Sequence, residues 1–393
     1  MKVAWLIPLA AAAAMSQTQV PVTREGAYWA STISDTISVR ATRLRVSSLG
    51  PITVHGSSGN AVSYAAKRKV KAKTESDASR LFGEFYLKKK LSGEELLILA
   101  GHPDRDAATI ELEVQVPRKY RKHYLETQSG TVEAYNLDGE LEAETGGGNV
   151  HLDGIGGSVG VRTGGGEVKI GKIGGALRCL SGGGNMRAES IGGEAFFETV
   201  GGEIFIGKVT GPVEALTAGG NIHVDHAASS VKANTSGGLI DIAYAGGLVF
   251  AGNAAGCIKV SAAKGVRLES AAGPIQLRGV SGPLNVSAVT GNIVTELGPD
   301  SRLEDSYLNT GSGDVTVYIP SNLGVTVRAR NESSGKLRRI VSDFPEVRTQ
   351  LAGLRQSGPL LAEGEINGGG PTLRILAAGG TIYLRRQRER ENR

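Results

Sequence analysis

From Thr145 to Ile242 one phrase returns every eighteen residues, a Thr or Ser, then glycines, then an alternating apolar strand. Thr145-Gly-Gly-Gly-Asn-Val150-His-Leu152, Thr163-Gly-Gly-Gly-Glu-Val168-Lys-Ile170 and Thr217-Ala-Gly-Gly-Asn-Ile222-His-Val224 stand in one register. A fixed period of this kind marks stacked structural units, none of which can bury its apolar face alone. Glycine pairs recur at half the period, as at Gly147-Gly148 and Gly156-Gly157, so each turn divides into two nine-residue halves of one strand and one corner. Strand alternation sends Val150, Leu152, Val159 and Val161 to one side, with Ile155 in the bend between. Glycine is roughly twice as frequent as usual, with 57 residues, and only 5% of the chain is aromatic, so the core is built from stacked Val, Ile and Leu.

These features predict an all-β protein: a right-handed parallel β-solenoid with 18-residue turns, a β-rich N-terminal cap and an irregular C-terminal cap. The handedness follows the general preference of parallel crossovers. The segments are a signal peptide at 1–16, the cap at 17–126, the regular solenoid at 127–320, a closure at 321–384 and a basic tail at 385–393. Within the cap, strands are expected over 36–48, 61–73, 82–90 and 109–116, with a short helix at 75–81. A residue is missing before Val266, an insertion lies near Gly298-Pro299-Asp300, and a helical turn is expected at 348–356. The column Thr127, Thr145, Thr163, Ser181, Thr199, Thr217, Thr235 points inward beside a corner, where each hydroxyl can satisfy the turn above.

Lys2, the apolar run Trp5 to Ala14 and the small-residue site Ala14-Met15-Ser16 read as an export signal, too short to span a bilayer at ~20 residues. The expected location is the periplasm, the cell surface or the extracellular space. Cys179 and Cys257 lie about five turns apart, too far for a disulfide, and are expected as free thiols. The net charge of +5 is concentrated in the cap and tail, and an uneven distribution of this kind can orient a protein on an anionic membrane or polymer.

Several motifs fail their chemistry. Gly166-Glu-Val-Lys-Ile-Gly171-Lys172 has phosphate-loop spacing, but Ile173 replaces the required Ser or Thr and no helix follows. The calcium-roll aspartate position is apolar, at Leu152, Val161 and Ile170. Glu140, Glu142 and Glu144 all face one way on one strand, which does not make the opposed acid and base of a glycosidase. His223, Asp225 and Asp241 form the best candidate metal cluster, about one turn apart. No cofactor and no nucleic-acid partner are expected.

The Gly-Gly rungs up to Gly237-Gly238, the segment Thr310-Gly-Ser-Gly-Asp-Val-Thr-Val-Tyr-Ile-Pro320, Ser333-Ser-Gly335 and Gly380-Thr-Ile-Tyr-Leu384 resemble the bacterial putative-adhesin family of exported β-solenoids. The resemblance implies a right-handed solenoid at the cell envelope and carries no ligand or catalytic residue with it. The functional expectation is a non-enzymatic, adhesin-like scaffold binding an envelope polymer or surface protein. Its candidate binding face is Asn149, His151, Asp153, Glu167, Lys169, Asn185, Arg187, Asn221, His223 and Asp225. The alternatives are a polysaccharide-active enzyme and a self-associating filament.

Overall fold

The computed structural model describes residues 18–19, 22–104, 108–298, 301–334, 339–351 and 358–387. The expected signal peptide, the inserted residues 299–300 and the end of the basic tail from 388 lie outside these. The chain divides into two compact units, residues 1–139 and 140–393, each described by itself.

The second unit is a parallel β-solenoid whose register is the sequence period. Val150 pairs with Val168, Val168 with Met186, Met186 with Ile204 and Ile204 with Ile222, each eighteen residues on. The other half-turn repeats this with Val159, Leu177, Ala195, Val213 and Val231. The frame slips appear where expected: Val249 pairs with Val266, and Ala288 with Thr310. All the inward positions of the alternation, Val150, Leu152, Ile155, Val159 and Val161 among them, are buried.

The hydroxyl column works in two directions. Thr163 Oγ1 donates to Gly148 O at 2.9 Å, Thr217 to Gly202 O at 3.0 Å and Thr235 to Gly220 O at 2.9 Å. The same oxygens accept from their own corners, from the N–H of Gly166, Gly220 and Gly238 at 3.1, 3.2 and 3.1 Å. These three hydroxyls thus tie their corners to the turn before, and the backbone groups they reach do not go unpaired.

The end of this unit departs from chain order. Thr372–Ala377 and Thr381–Arg386 stack in parallel on Ser306–Ser312 and Val315–Ile319, with Leu308 opposite Ile375 and Val315 opposite Ile382. Val325–Asn331 and Arg339–Ser342, which come earlier in the chain, pair on the far side of those final strands. Antiparallel Leu360–Ile366 then covers Val325–Asn331, and Arg348–Leu351 pairs with Leu360–Ile366. The helical turn expected at 348–356 is therefore corrected: residues 348–351 are an exposed edge strand, and 352–356 lie outside the described residues.

The first unit shows the same device. Arg43–Ser48 lies between Lys122–Thr127 and Glu95–Gly101, and Ile52–Ser57 between Val132–Leu137 and Ala108–Pro117, all in parallel. The earliest turn is thus flanked on both sides by later ones. Antiparallel strands follow: Tyr86–Ser92 on Glu95–Gly101, Val62–Lys71 on Ala108–Pro117 and Tyr28–Ile37 on Val62–Lys71. Lys88 and Lys90 stand exposed on Tyr86–Ser92, where charge discourages pairing with a further chain, while Lys89 turns onto the buried Asp35 carboxylate.

The helix is longer than expected, Glu75–Glu84, so Phe82 belongs to it and the following strand begins at Tyr86. Thr74 caps it, accepting from Asp77 N at 3.2 Å, and Ala78, Leu81 and Phe82 pack with Val70 and Ala108. The strand expected over 36–48 is two strands, Tyr28–Ile37 and Arg43–Ser48.

Both cysteines are free, Cys179 buried and Cys257 half-buried. Burial pushes the Cys179 thiol up to about 12. The unfolded thiol ionises near pH 8.5, so as pH rises the unfolded state loses its proton first and the fold is destabilised. Between pH 8.5 and 10 this costs about 2 kcal/mol. Urea midpoints at pH 7 and 10 should therefore fall further in the native chain than in Cys179→Ala; equal falls would refute the linkage.

Candidate binding face

On the strands that begin at Val150, Val168, Met186, Ile204, Ile222, Ile240 and Ile258, outward residues align one per turn. One column is His151, Lys169, Arg187, Phe205, His223, Asp241, Lys259. The guanidinium of Arg187 lies 4.0 Å from the Phe205 ring centroid, and Phe205 stacks on His223 at 5.0 Å and 16°. The spacing between neighbouring turns, ~4.8 Å, is what allows rings and cations on adjacent turns to meet face to face.

The ten candidate face residues divide into two kinds. The Oδ1 atoms of Asn149, Asn185 and Asn221 accept from the backbone N–H of Glu167, Glu203 and Leu239, each at 2.9 Å. Asp153 Oδ1 likewise accepts from Lys172 N at 2.8 Å. These four serve as caps for the next turn. His151, Lys169, Arg187 and His223 stand in the outward column, with the Glu167 carboxylate 3.0 Å from Lys169 Nζ and Asp225 beside His223. Phe205 and Lys259, which complete the row, were not singled out by sequence reasoning. Their signal was the repeat register itself, which assigns each an outward position.

His223, Asp225 and Asp241 do come together. His223 Nε2 is 2.7 Å from Asp225 Oδ1 and Nδ1 is 3.5 Å from Asp241 Oδ2, while Lys259 Nζ is 3.7 Å from Asp241. Both ring nitrogens thus face carboxylates, and Lys259 brings a second cation to Asp241. Among the described residues no group of three His, Cys, Asp or Glu side chains is gathered so as to hold a metal ion. Glu140, Glu142 and Glu144 alternate on Glu140–Thr145 in the other ladder, and Glu144 approaches Arg162 at 3.9 Å.

No family model matches the chain, and no curated protein matches it. Among solved structures, a putative cell adhesion protein from Clostridium sporogenes aligns over 90% of this chain and 99% of its own, at 8% identity and a TM-score of 0.20. A putative adhesin from Bacteroides fragilis aligns over 90% and 96%, at 9% identity and the same TM-score. Likenesses this remote carry no argument for a function. Among the described residues no helix is long and apolar enough to cross a membrane.

Proposed function

We propose that the protein is an exported, non-enzymatic, adhesin-like scaffold whose solenoid presents a polar face to an envelope polymer or surface protein. The observation that supports this reading is the outward row from His151 to Lys259, in which the Arg187, Phe205 and His223 side chains stack on one another at the turn spacing. A straight row of cations and rings suits an extended partner, because contacts repeat along it and their free energies accumulate. The stacking also holds Arg187 and Phe205 in place before any partner arrives, which reduces the entropy lost on binding.

The test is retention of the chain from Gln17 onward on fractionated cell envelope across a salt series. Retention is expected, and Arg187→Ala combined with Phe205→Ala should weaken it at least tenfold while leaving the urea midpoint of the solenoid in place. A steep loss with salt would identify an anionic partner. No retention, or release of soluble sugars from the envelope, would overturn the reading, the latter in favour of a polysaccharide-active enzyme.

A further inference from the structure

The second face of the solenoid carries a gap that the repeat itself does not require. In the ladder of Glu140–Thr145, Val159–Thr163, Leu177–Ser181 and Ala195–Thr199, one outward column reads Glu142, Gly160, Arg178, Phe196, Glu214, Lys232. Opposite charges on adjacent turns of this column pair directly, as Lys232 does with Glu214 at 2.8 Å. Between Glu142 and Arg178, however, stands Gly160, which has no side chain. The result is a depression of about 360 Å³ whose lining includes Glu140, Glu142, Arg162, Arg178, Leu180, Glu194 and Phe196.

The charges around this depression are held apart. Glu142 leans over Gly160, its Oε2 standing 2.1 Å from where a Cβ would be. Arg178 turns the other way, its guanidinium 4.2 Å from the centroid of Phe196 on the next turn. Among the described residues neither Glu142 nor Arg178 forms an ion pair within 4.0 Å. The Glu142 carboxylate thus fills the floor of the notch above Gly160 and the Arg178 guanidinium lies over Phe196 on its far side, with the two residues two turns apart in register, about 10 Å at the backbone, and Leu180 and Phe196 beside the space between them.

We propose that this notch binds an α-amino-acid zwitterion, its ammonium on Glu142 and its carboxylate on Arg178, with the amino-acid side chain against Leu180 and Phe196. The ammonium and carboxylate of an α-amino acid are about 3 Å apart, so with a hydrogen bond of about 2.8 Å at each end the ligand bridges two charged groups roughly 8–9 Å apart. The planar guanidinium of Arg178, already positioned by its stack on Phe196, suits two-pronged recognition of a carboxylate. A plain anion would meet Glu142 and a plain cation would meet Arg178, so the pair selects against singly charged ligands. The site lies on the ladder opposite the proposed envelope-binding row and does not depend on it.

The experiment is calorimetric titration of the chain from Gln17 onward with leucine, N-acetyl-leucine and leucinamide at low salt. Leucine should bind, and each analogue, having lost one charge, should bind at least tenfold more weakly. Gly160→Val fills the notch with a residue that favours strands and displaces only the flexible end of Glu142, so it should keep the urea midpoint and abolish binding. Arg178→Gln should weaken leucine binding at least tenfold. No leucine binding by the native chain, equal binding of the singly charged analogues, or undiminished binding by Gly160→Val would each overturn the proposal.

Discussion

Phe197→Ala is expected to destabilise the second unit by about 3–5 kcal/mol, whereas Phe196→Ala, one residue away, should cost less than about 1 kcal/mol. Phe197 is fully buried and is the largest such side chain among the described residues. Its neighbours in the ladder are Cys179 and Ala215, both small, so the ring occupies space that the adjacent turns leave open. Truncation would leave a cavity that these neighbours cannot fill, and the cost of lost burial rises with the volume left empty. Phe196 points outward beneath Arg178 and loses only a surface stack. Urea denaturation of the two variants decides the matter, and equal losses would mean that the inward and outward sides of this strand are misassigned.

The second large effect separates two adjacent glycines. Gly202→Ala should cost about 2–3 kcal/mol, and Gly201→Ala should leave stability unchanged to within about 0.5 kcal/mol. A Cβ on Gly202 would fall 2.1 Å from the carbonyl oxygen of Gly184 on the preceding turn, a backbone atom that can yield only by moving the whole corner. That shift would also disturb the hydroxyl ladder, since Gly202 N donates to Thr199 Oγ1 and Gly202 O accepts from Thr217 Oγ1. A Cβ on Gly201 meets nothing within 4 Å. The same contrast holds for Gly183 and Gly184, and for Gly219 and Gly220. Thermal or urea midpoints of the paired variants test it; a tolerated Gly202→Ala would mean that adjacent corners are not in contact.

The sequence alone determined the stack: its eighteen-residue turn, the inward side of each strand, the buried hydroxyl column and the two frame slips at Val266 and Thr310. All of these follow from side-chain parity and from identical units repeating at one spacing, which are local properties that a linear pattern carries in full. Only the tertiary structure decided how each unit ends. The pairing of Leu308 with Ile375, and of Ile52 with both Leu112 and Val132, depends on which strand edges remain open after the intervening chain has packed, and residue types at one position do not encode that. It also decided which outward polar residues are taken up in capping the next turn. Asn149, Asn185 and Asn221 look in sequence like outward groups, yet a free backbone N–H one turn away lies close enough to take their oxygens. Phe205 and the notch at Gly160 acquire meaning from the residues eighteen positions to either side, because on a stacked strand the nearest outward neighbours belong to the adjacent turns.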